Sequence, residues 1–478
     1  MPTHDSLKTL GVDLDGTLLA TDTLWESMLG LLKNKPMMVL YFPMWILKGK
    51  AFFKQQVASQ VELDPALLPY RNEVLSFLKV EKQSGTELVL ASASDERIVK
   101  RVADHLGLFS AVLASDGITN LSGSNKLRAL ERHTGGRGFD YIGNSRQDLP
   151  LWKVAKHAIL VGPSARLLRS ARLICSGERV IAPKINSLSV IFRALRAHHW
   201  VKNVLLFVPL IMAHRTTDMA LVLNGSLAFV AFSLCASSVY IINDLVDLES
   251  DRQHPNKRKR PFASGSLQIQ TGIVLVPLLL AGALLIAALL LSPLFTALLS
   301  FYFVLTMAYS LYFRRTLLLD VLLLAGFYTV RILAGAVAVS VIVSPWLLTF
   351  SMFLFLSLAF LKRYTELRLM EENNQTHHSG RGYVLSDITM VQNIGSTSGY
   401  LSVLVLALYI NSKEVVELYQ HPWVLWLIGP CLLYWITRMW FLAHRGQMTD
   451  DPILFAVRDR KSYVVGFAVL VFIFAATL

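Results

Sequence analysis

Long apolar runs recur through the last two thirds of this chain, and they constrain its fold more than any other feature. They lie near residues 203–214, 218–242, 271–291, 294–313, 317–340, 345–361, 392–411, 421–443 and 463–478. A helix needs about 20 apolar residues to cross a bilayer, so the pattern predicts a polytopic all-α membrane domain of about nine spans. The first run is short and reaches that length only if it starts inside a flanking helix. Basic residues crowd one alternate set of loops: Arg252 and Lys257–Arg260, Arg314–Arg315, Lys362–Arg363 with Arg368 and Arg381, and Arg445 to Lys461. The opposite set shows little beyond Arg215 and Lys413. That asymmetry predicts a multi-pass protein of the inner (plasma) membrane, with the N-terminal region and the charged loops in the cytoplasm. Composition agrees: 54% of residues are hydrophobic and 17% charged, where a soluble chain carries about a quarter charged. The formal charge of +13 points to anionic lipid or phosphate, not nucleic acid, because the basic residues flank apolar spans. Cys175, Cys235 and Cys431 show no metal-ligand spacing and predict no disulfide framework. The polar N-terminus leads directly into a strand-like segment, so no signal peptide is expected.

At the mouth of the second run the sequence turns abruptly acidic, then basic, over Tyr240–Pro261. Asn243, Asp247 and Asp251 are spaced i, i+4, i+8, and Asp244 lies three before Asp247, which predicts one helical face. Carboxylates at the end of a span are costly and usually functional. Such a face suits Mg²⁺, which is commonly held by one or two carboxylates together with substrate phosphates. A solvated helix end with a basic loop is the alternative.

The N-terminal third has a different pattern. Leu7–Leu19 is a short apolar strand ending in Asp13-Leu-Asp15-Gly16-Thr17. Leu88–Ser92 is a second strand, Lys126 opens a helical segment, and Tyr141–Asp148 is a third strand ending in an acid. Strands alternating with helices predict a parallel α/β sheet with its site at the strands' C-terminal ends. We expect an α/β domain over 1–165 with a helical cap over about 21–80, a linker over 166–192, and the membrane domain over 193–478. Within the cap, the apolar twelve residues Pro36–Leu47 are too short to span. A buried cap helix is the default for them; lysines at 33, 35, 48 and 50 also allow contact with a membrane surface.

Two further charged clusters interrupt the spans. Asp320 is followed eleven residues later by Arg331, about three turns along one helix on nearly the same face. A charge so deep faces the bundle interior with a partner, either in substrate binding or as a structural Asp–Arg pair. Lys362, Arg363 and Glu366 lead toward His377-His378; adjacent histidines do not face one way, so loop polarity explains them better than metal binding.

The N-terminal motifs resemble the haloacid dehalogenase (HAD) phosphohydrolase superfamily over residues 7–165. That resemblance implies Asp13 as nucleophile, Asp15 as general acid and base, Ser92 and Lys126 holding phosphoryl oxygens, and Mg²⁺ bound by Asp13, Asp15 and Asp148. Asn144 stands where many members carry an acid. The membrane region resembles the UbiA-type intramembrane prenyltransferases. Asn243-Asp244-x-x-Asp247-x-x-x-Asp251 matches their first metal motif, and Tyr309–Asp320 resembles the second but lacks an Asp-rich cluster. Trp200-Val-Lys202-Asn203, Lys362-Arg363-Tyr-x-Glu366-Leu and Asp451-Pro-x-x-x-Ala-x-Arg458 are similar to the decaprenyl-phosphate phosphoribosyltransferase branch. The resemblance implies transfer of 5-phosphoribose from phosphoribosyl pyrophosphate to a polyprenyl phosphate. Asn243, Asp244, Asp247 and Asp251 would hold Mg²⁺; Lys202, Arg258, Arg331, Lys362 and Arg363 would bind the 5-phosphate and the lipid phosphate, with Asn203 and Asp320 as further substrate-binding residues. A fused phosphatase would then remove the 5-phosphate. An aromatic prenyltransferase with a fused phosphatase is the rival; a transporter with a regulatory domain is disfavoured because the charges cluster at one face.

Overall fold

The computed structural model describes residues 8–175, 177–181, 187–372, 382–448 and 451–478. His377, His378 and Arg381 lie outside the described residues. The chain forms two compact units, Met1–Leu195 with Tyr240–Pro277, and Arg196–Val239 with Leu278–Leu478.

The first unit is built on a parallel sheet of β1 (Thr9–Val12), β2 (Glu87–Asp95), β3 (Ala111–Ser115), β4 (Asp140–Gly143), β5 (Ala158–Val161) and β6 (Glu178–Ile181). The strand order is β3-β2-β1-β4-β5-β6. Side chains alternate across it with period two. Leu10, Val12, Leu88, Leu90, Ile142, Ile159 and Val161 fill one buried layer, while Val89, Tyr141, Ala158 and Leu160 fill the other. Helices cover both layers, as parallel sheets require. The helices Asn72–Gln83 and Glu96–Leu106 seal the first layer through Val74, Leu78, Val99 and Val102.

Residues 166–192, expected as a linker, instead contribute part of the helix Ala165–Arg172 and the edge strand β6. The side chains of β6 are exposed or half-exposed, so the strand carries no apolar signature. A small cap core of Leu31, Trp45, Phe53 and Val57 joins the helices Thr23–Asn34, Phe42–Leu47 and Lys50–Gln60. Pro36–Leu47 is not the buried helix of the default expectation: Trp45 is buried and Met38 and Phe42 pack beside it, while Leu40 is 75% and Leu47 88% exposed. This unit also includes the end of the helix Met219–Val246 from Tyr240, the short helix Leu248–Gln253, and the first turns of the helix Ile269–Leu290.

Along the described chain eight helices are long and apolar enough to cross a bilayer, and the protein is a multi-pass membrane protein. They are Met219–Val246, Ile269–Leu290, Pro293–Leu311, Leu319–Ala338, Pro345–Glu372, Leu385–Ile410, Pro422–His444 and Arg460–Thr477. The expected ninth, at 203–214, forms a 3₁₀ stretch Ala197–Phe207 and a five-residue helix Val208–Met212. With a 3₁₀ rise of about 2 Å per residue, the two pieces together extend about 30 Å. In the second unit, Phe232, Phe295, Leu299, Tyr302 and Phe327 centre one apolar core. Phe355, Phe360, Tyr364, Ile436 and Trp440 centre another.

Candidate active sites

The parallel pairing of β1 with β4 sets Val12 against Ile142 and delivers Asp13 beside the loop that follows β4. Asp13 Oδ1 lies 2.6 Å from Lys126 Nζ, and its Oδ2 accepts the Thr17 hydroxyl at 3.0 Å. Lys126 also donates to the Tyr141 hydroxyl at 3.0 Å, which in turn donates to Asp148 Oδ1 at 3.1 Å. Asp15 accepts the Thr23 N–H at 2.7 Å and the Ser94 hydroxyl at 2.5 Å. Gly16 turns the chain at φ +75°, and a Cβ there would sit 2.1 Å from the Asn144 amide nitrogen, so Asn144 lies directly against the motif. Asp13, Asp15, Lys126 and Asp148 thus form one site. Ser92 is buried beside it, accepting the Ser94 N–H at 3.1 Å; the hydroxyl that reaches Asp15 is that of Ser94. Ser94, two residues along the same strand from the expected Ser92, was not singled out by the motif, and neither was the hydroxyl of Tyr141.

Burial pushes the carboxyls of Asp13 and Asp15 up to about 6, in each case despite stabilising hydrogen bonds. Burial works against the Lys126 ammonium, yet Asp13 and Asp148 beside it outweigh that and hold it above its usual value. From the cap, Lys54 donates to Ala93 O at 2.7 Å and Asn120 Oδ1 at 3.0 Å, closing the cap helix Lys50–Gln60 onto the sheet. Asp148 Oδ2 accepts the N–H groups of Asn144 and Ser145 and the Ser145 hydroxyl, fixing the loop in a capping box.

The acid-rich stretch departs from one continuous helix. The helix Met219–Val246 stops before Asp247, whose backbone at φ −91°, ψ 13° starts the short helix Leu248–Gln253. Backbone bonds from Asp247 to Asn243 and from Asp251 to Asp247 carry the turn through the break. Asp244 and Asp251 are buried and converge on one nitrogen, Arg260 Nη1, at 3.2 and 2.6 Å. Arg260 was not expected in the site. Arg258, which was, lies exposed in the turn Lys257–Lys259. Hard carboxylate oxygens meeting at one cationic point suit Mg²⁺. Among the described residues no three His, Cys, Asp or Glu side chains gather as a complete metal cage. The donor set therefore fits an ion whose remaining ligands come from substrate phosphates and water.

In the second unit Asp320 does not pair with Arg331. Eleven residues along a helix amount to about 16 Å of rise, beyond ion-pair reach. Asp320 is fully buried and accepts Arg363 Nε at 2.5 Å, Arg363 Nη2 at 3.1 Å and the Tyr309 hydroxyl at 2.6 Å. Arg363 binds Glu366 as well, so its charge is already matched. Arg331, also buried, donates to Asn203 Oδ1 at 2.8 Å, Phe327 O at 2.6 Å and the Tyr302 hydroxyl at 2.6 Å. The ring of Tyr302 lies 5.0 Å from its guanidinium carbon. All these partners are neutral, and Asn203 is itself oriented by a 3.0 Å bond to Ser233. Lys202 pairs with Asp451 at 2.6 Å. Burial alone would raise the Asp451 carboxyl, but Lys202 and Lys362 hold it well below the usual range. Asp451 also caps the helix Pro452–Arg458.

Residues 204–463 match the UbiA prenyltransferase family and residues 10–153 the haloacid dehalogenase-like hydrolases. An uncharacterized protein, y4nM, of Sinorhizobium fredii is 36% identical over 95% of this chain and 88% of its own length. The nodulation protein NoeC of Azorhizobium caulinodans is 39% identical over 57% of this chain and 88% of its own length. The decaprenyl-phosphate phosphoribosyltransferase of Mycobacterium tuberculosis is 31% identical over 47% of this chain and 75% of its own length. A family match over more than half the chain settles the membrane part: the chain belongs to the UbiA prenyltransferase family and carries a haloacid dehalogenase-like hydrolase domain ahead of its membrane helices.

Proposed function

We propose that the membrane domain transfers 5-phosphoribose from phosphoribosyl pyrophosphate to a polyprenyl phosphate at the cytoplasmic face of the inner membrane, and that the N-terminal domain hydrolyses a phosphomonoester, with the 5-phosphate of that product as its candidate. The observation that carries the reading is Arg331, a buried guanidinium whose described partners are all neutral. A buried cation held this way favours an incoming anion. Lys362 adds a second cation, near enough to Asp451 to lower its carboxyl, and Lys202 a third, paired with Asp451. The similarity to the decaprenyl-phosphate phosphoribosyltransferase of M. tuberculosis supports the same reading.

In this mechanism Asn243, Asp244, Asp247 and Asp251 would hold Mg²⁺. When bound, the ion neutralises charge on the departing pyrophosphate. Within the second unit, Lys202, Arg331 and Lys362 are the cations for substrate phosphate, and Asn203 keeps Arg331 in place. A lipid phosphate oxygen attacks the anomeric carbon as its bond to pyrophosphate breaks; the acceptor is already anionic and needs no strong base. In the N-terminal domain Asp13 attacks phosphorus and Asp15 protonates the leaving oxygen.

Membranes containing the protein, given labelled phosphoribosyl pyrophosphate and polyprenyl phosphate, should form a labelled lipid that Asp247→Asn does not. A lipid product formed instead from prenyl diphosphate and 4-hydroxybenzoate would establish the aromatic prenyltransferase reading.

A further inference from the structure

Three separate features bear on where the N-terminal site works. The first is a chain of contacts inside the first unit. Asp15 accepts the Thr23 N–H at 2.7 Å, and the adjoining residue, Asp22, accepts the Gln270 side-chain amide at 3.4 Å. Gln270 stands in the first turn of Ile269–Leu290, a 22-residue helix long and apolar enough to cross a bilayer. At 1.5 Å per residue such a helix is about 33 Å long, matching a hydrocarbon core about 30 Å thick. Its first turn therefore lies at head-group depth. Two hydrogen bonds and one peptide link join that turn to the carboxylate that protonates the leaving group. Close by, Gly265 at φ +71° packs its backbone on Ala20, where a Cβ would meet the Ala20 Cβ at 2.5 Å.

The second feature is a fork of hydrogen bonds between Glu26 of the cap and Arg252. Arg252 Nη2 lies 2.6 Å from Glu26 Oε1 and Nη1 lies 3.1 Å from Oε2. The Thr21 hydroxyl braces Glu26 at 2.6 Å, and Arg252 Nε holds Ala263 O at 3.0 Å. Both side chains are nearly buried, at 8% and 4% exposure. A buried bidentate pair of this kind is directional as well as strong.

The third is the cap tip, Pro36–Leu47. It exposes Met37, Leu40, Tyr41, Met44, Ile46 and Leu47, with Lys33, Lys35, Lys48 and Lys50 on its flanks. Apolar residues framed by lysines suit the interface of a bilayer bearing anionic lipid.

The geometry points to a phosphatase site dedicated to phosphomonoesters carried on membrane lipids, with Glu26 and Arg252 as positioning residues that hold it at the surface and the cap tip as its lipid contact. The inference rests on the hydrolase reading of the N-terminal domain and is independent of which lipid the transferase makes. Asp13 attacks phosphorus and the ester P–O bond breaks, its oxygen taking the Asp15 proton. Water then releases inorganic phosphate from the aspartyl-phosphate and leaves the lipid alcohol. Confinement to one surface raises the local concentration of a lipid-borne ester and does nothing for a dissolved one.

The test uses the full chain in nanodiscs containing anionic lipid. Phosphatidylinositol 4-phosphate presents a phosphomonoester on a ring joined to lipid by a phosphodiester; inositol 1,4-bisphosphate and p-nitrophenyl phosphate are the dissolved comparisons. We expect kcat/KM for the lipid ester to exceed that for inositol 1,4-bisphosphate by about tenfold or more. Glu26→Gln should raise KM for the lipid ester several-fold and leave p-nitrophenyl phosphate hydrolysis unchanged. The exchanged pair Glu26→Arg with Arg252→Glu should recover the difference. Leu40→Glu with Leu47→Glu, at exposed positions that do not endanger folding, should show the same selective loss. Equal kcat/KM for lipid and dissolved esters in the parent protein overturns the proposal. So does an equal loss on all substrates in the cap-tip variant, which decides the matter if Glu26→Gln does not fold. Failure to form lipid product from phosphoribosyl pyrophosphate would sink the transferase reading and leave this result standing.

Discussion

At the scale of single residues, the N-terminal site is governed by two carboxyls, Asp13 paired with Lys126 and Asp15 bound by Ser94 and Thr23. Asp13 and Asp15 are both raised to about 6 by burial, and the reaction needs Asp13 ionised and Asp15 protonated. Below that region Asp13 takes up a proton and stops attacking; above it Asp15 loses the proton it must donate. Phosphatase kcat/KM should therefore describe a bell with its maximum near pH 6, a property of the pair. In Lys126→Met the nearest stabilising charge is gone, so residual activity should show its acidic limb displaced to higher pH; a limb that stays put or moves down contradicts this assignment. In the membrane domain the corresponding pair is Asp320 with Arg363, at 0% and 2% side-chain exposure. Removing one member leaves the other charged and buried, an effect of about 3–5 kcal/mol. Arg363→Met should thus lower the unfolding midpoint in detergent strongly, and Asp320→Leu in the same chain should restore much of it. A double variant no better than Arg363→Met would show that the two do not act as a pair.

At the scale of elements, the acidic turn is held by a cation of its own. Arg260 bridges Asp244 and Asp251, so it neutralises them in the free protein and competes with an arriving metal. Arg260→Met should lower the metal-free melting temperature, since two carboxylates then face one another, and should enlarge the upward shift produced by saturating Mg²⁺. Thermal melts with and without Mg²⁺ check both signs, and an unchanged shift would place the ion elsewhere. The same turn shows how far a sequence is legible. Carboxylates at i, i+4 and i+8 announce a site because side-chain direction follows helical period; that the helix ends before Asp247 is a local backbone outcome the spacing does not encode. Apolar length marked the eight long helices; that the short run at 203–214 begins in a 3₁₀ stretch from Ala197 is a backbone detail hydropathy does not report. Strand β6 escaped notice because its side chains are exposed at a sheet edge. Partnerships were least legible. Arg363 finds Asp320 across 43 residues and Arg252 finds Glu26 across 226, and no periodicity reports on such distances. Arg331, read either as a substrate binder or as half of an Asp–Arg pair, sits among Asn203, Tyr302 and a backbone carbonyl.

At the scale of the whole molecule, one chain carries a transferase expected to make a phosphorylated lipid and a hydrolase held at the first turn of a membrane span. If the two reactions are consecutive, blocking the second must make the intermediate visible. Asp13→Asn removes the attacking carboxylate with almost no change of shape, and its effect on the membrane domain should be small because the side-chain bonds of Asp13 run to Thr17 and Lys126, both in the N-terminal domain. With labelled phosphoribosyl pyrophosphate and polyprenyl phosphate, the parent protein should release labelled inorganic phosphate from the 5-position and yield a ribosyl lipid. Asp13→Asn should form lipid at a similar initial rate, keep its 5-phosphate, and cut phosphate release by at least about a hundredfold, the usual scale for loss of a covalent nucleophile. Chromatography of the lipid and a phosphate assay read the two steps separately. Phosphate release that survives Asp13→Asn unchanged would disconnect the reactions. The reason for joining them is then physical: a 5-phosphate on a membrane-bound sugar diffuses in two dimensions, and a hydrolase anchored at the same surface meets it without leaving the plane.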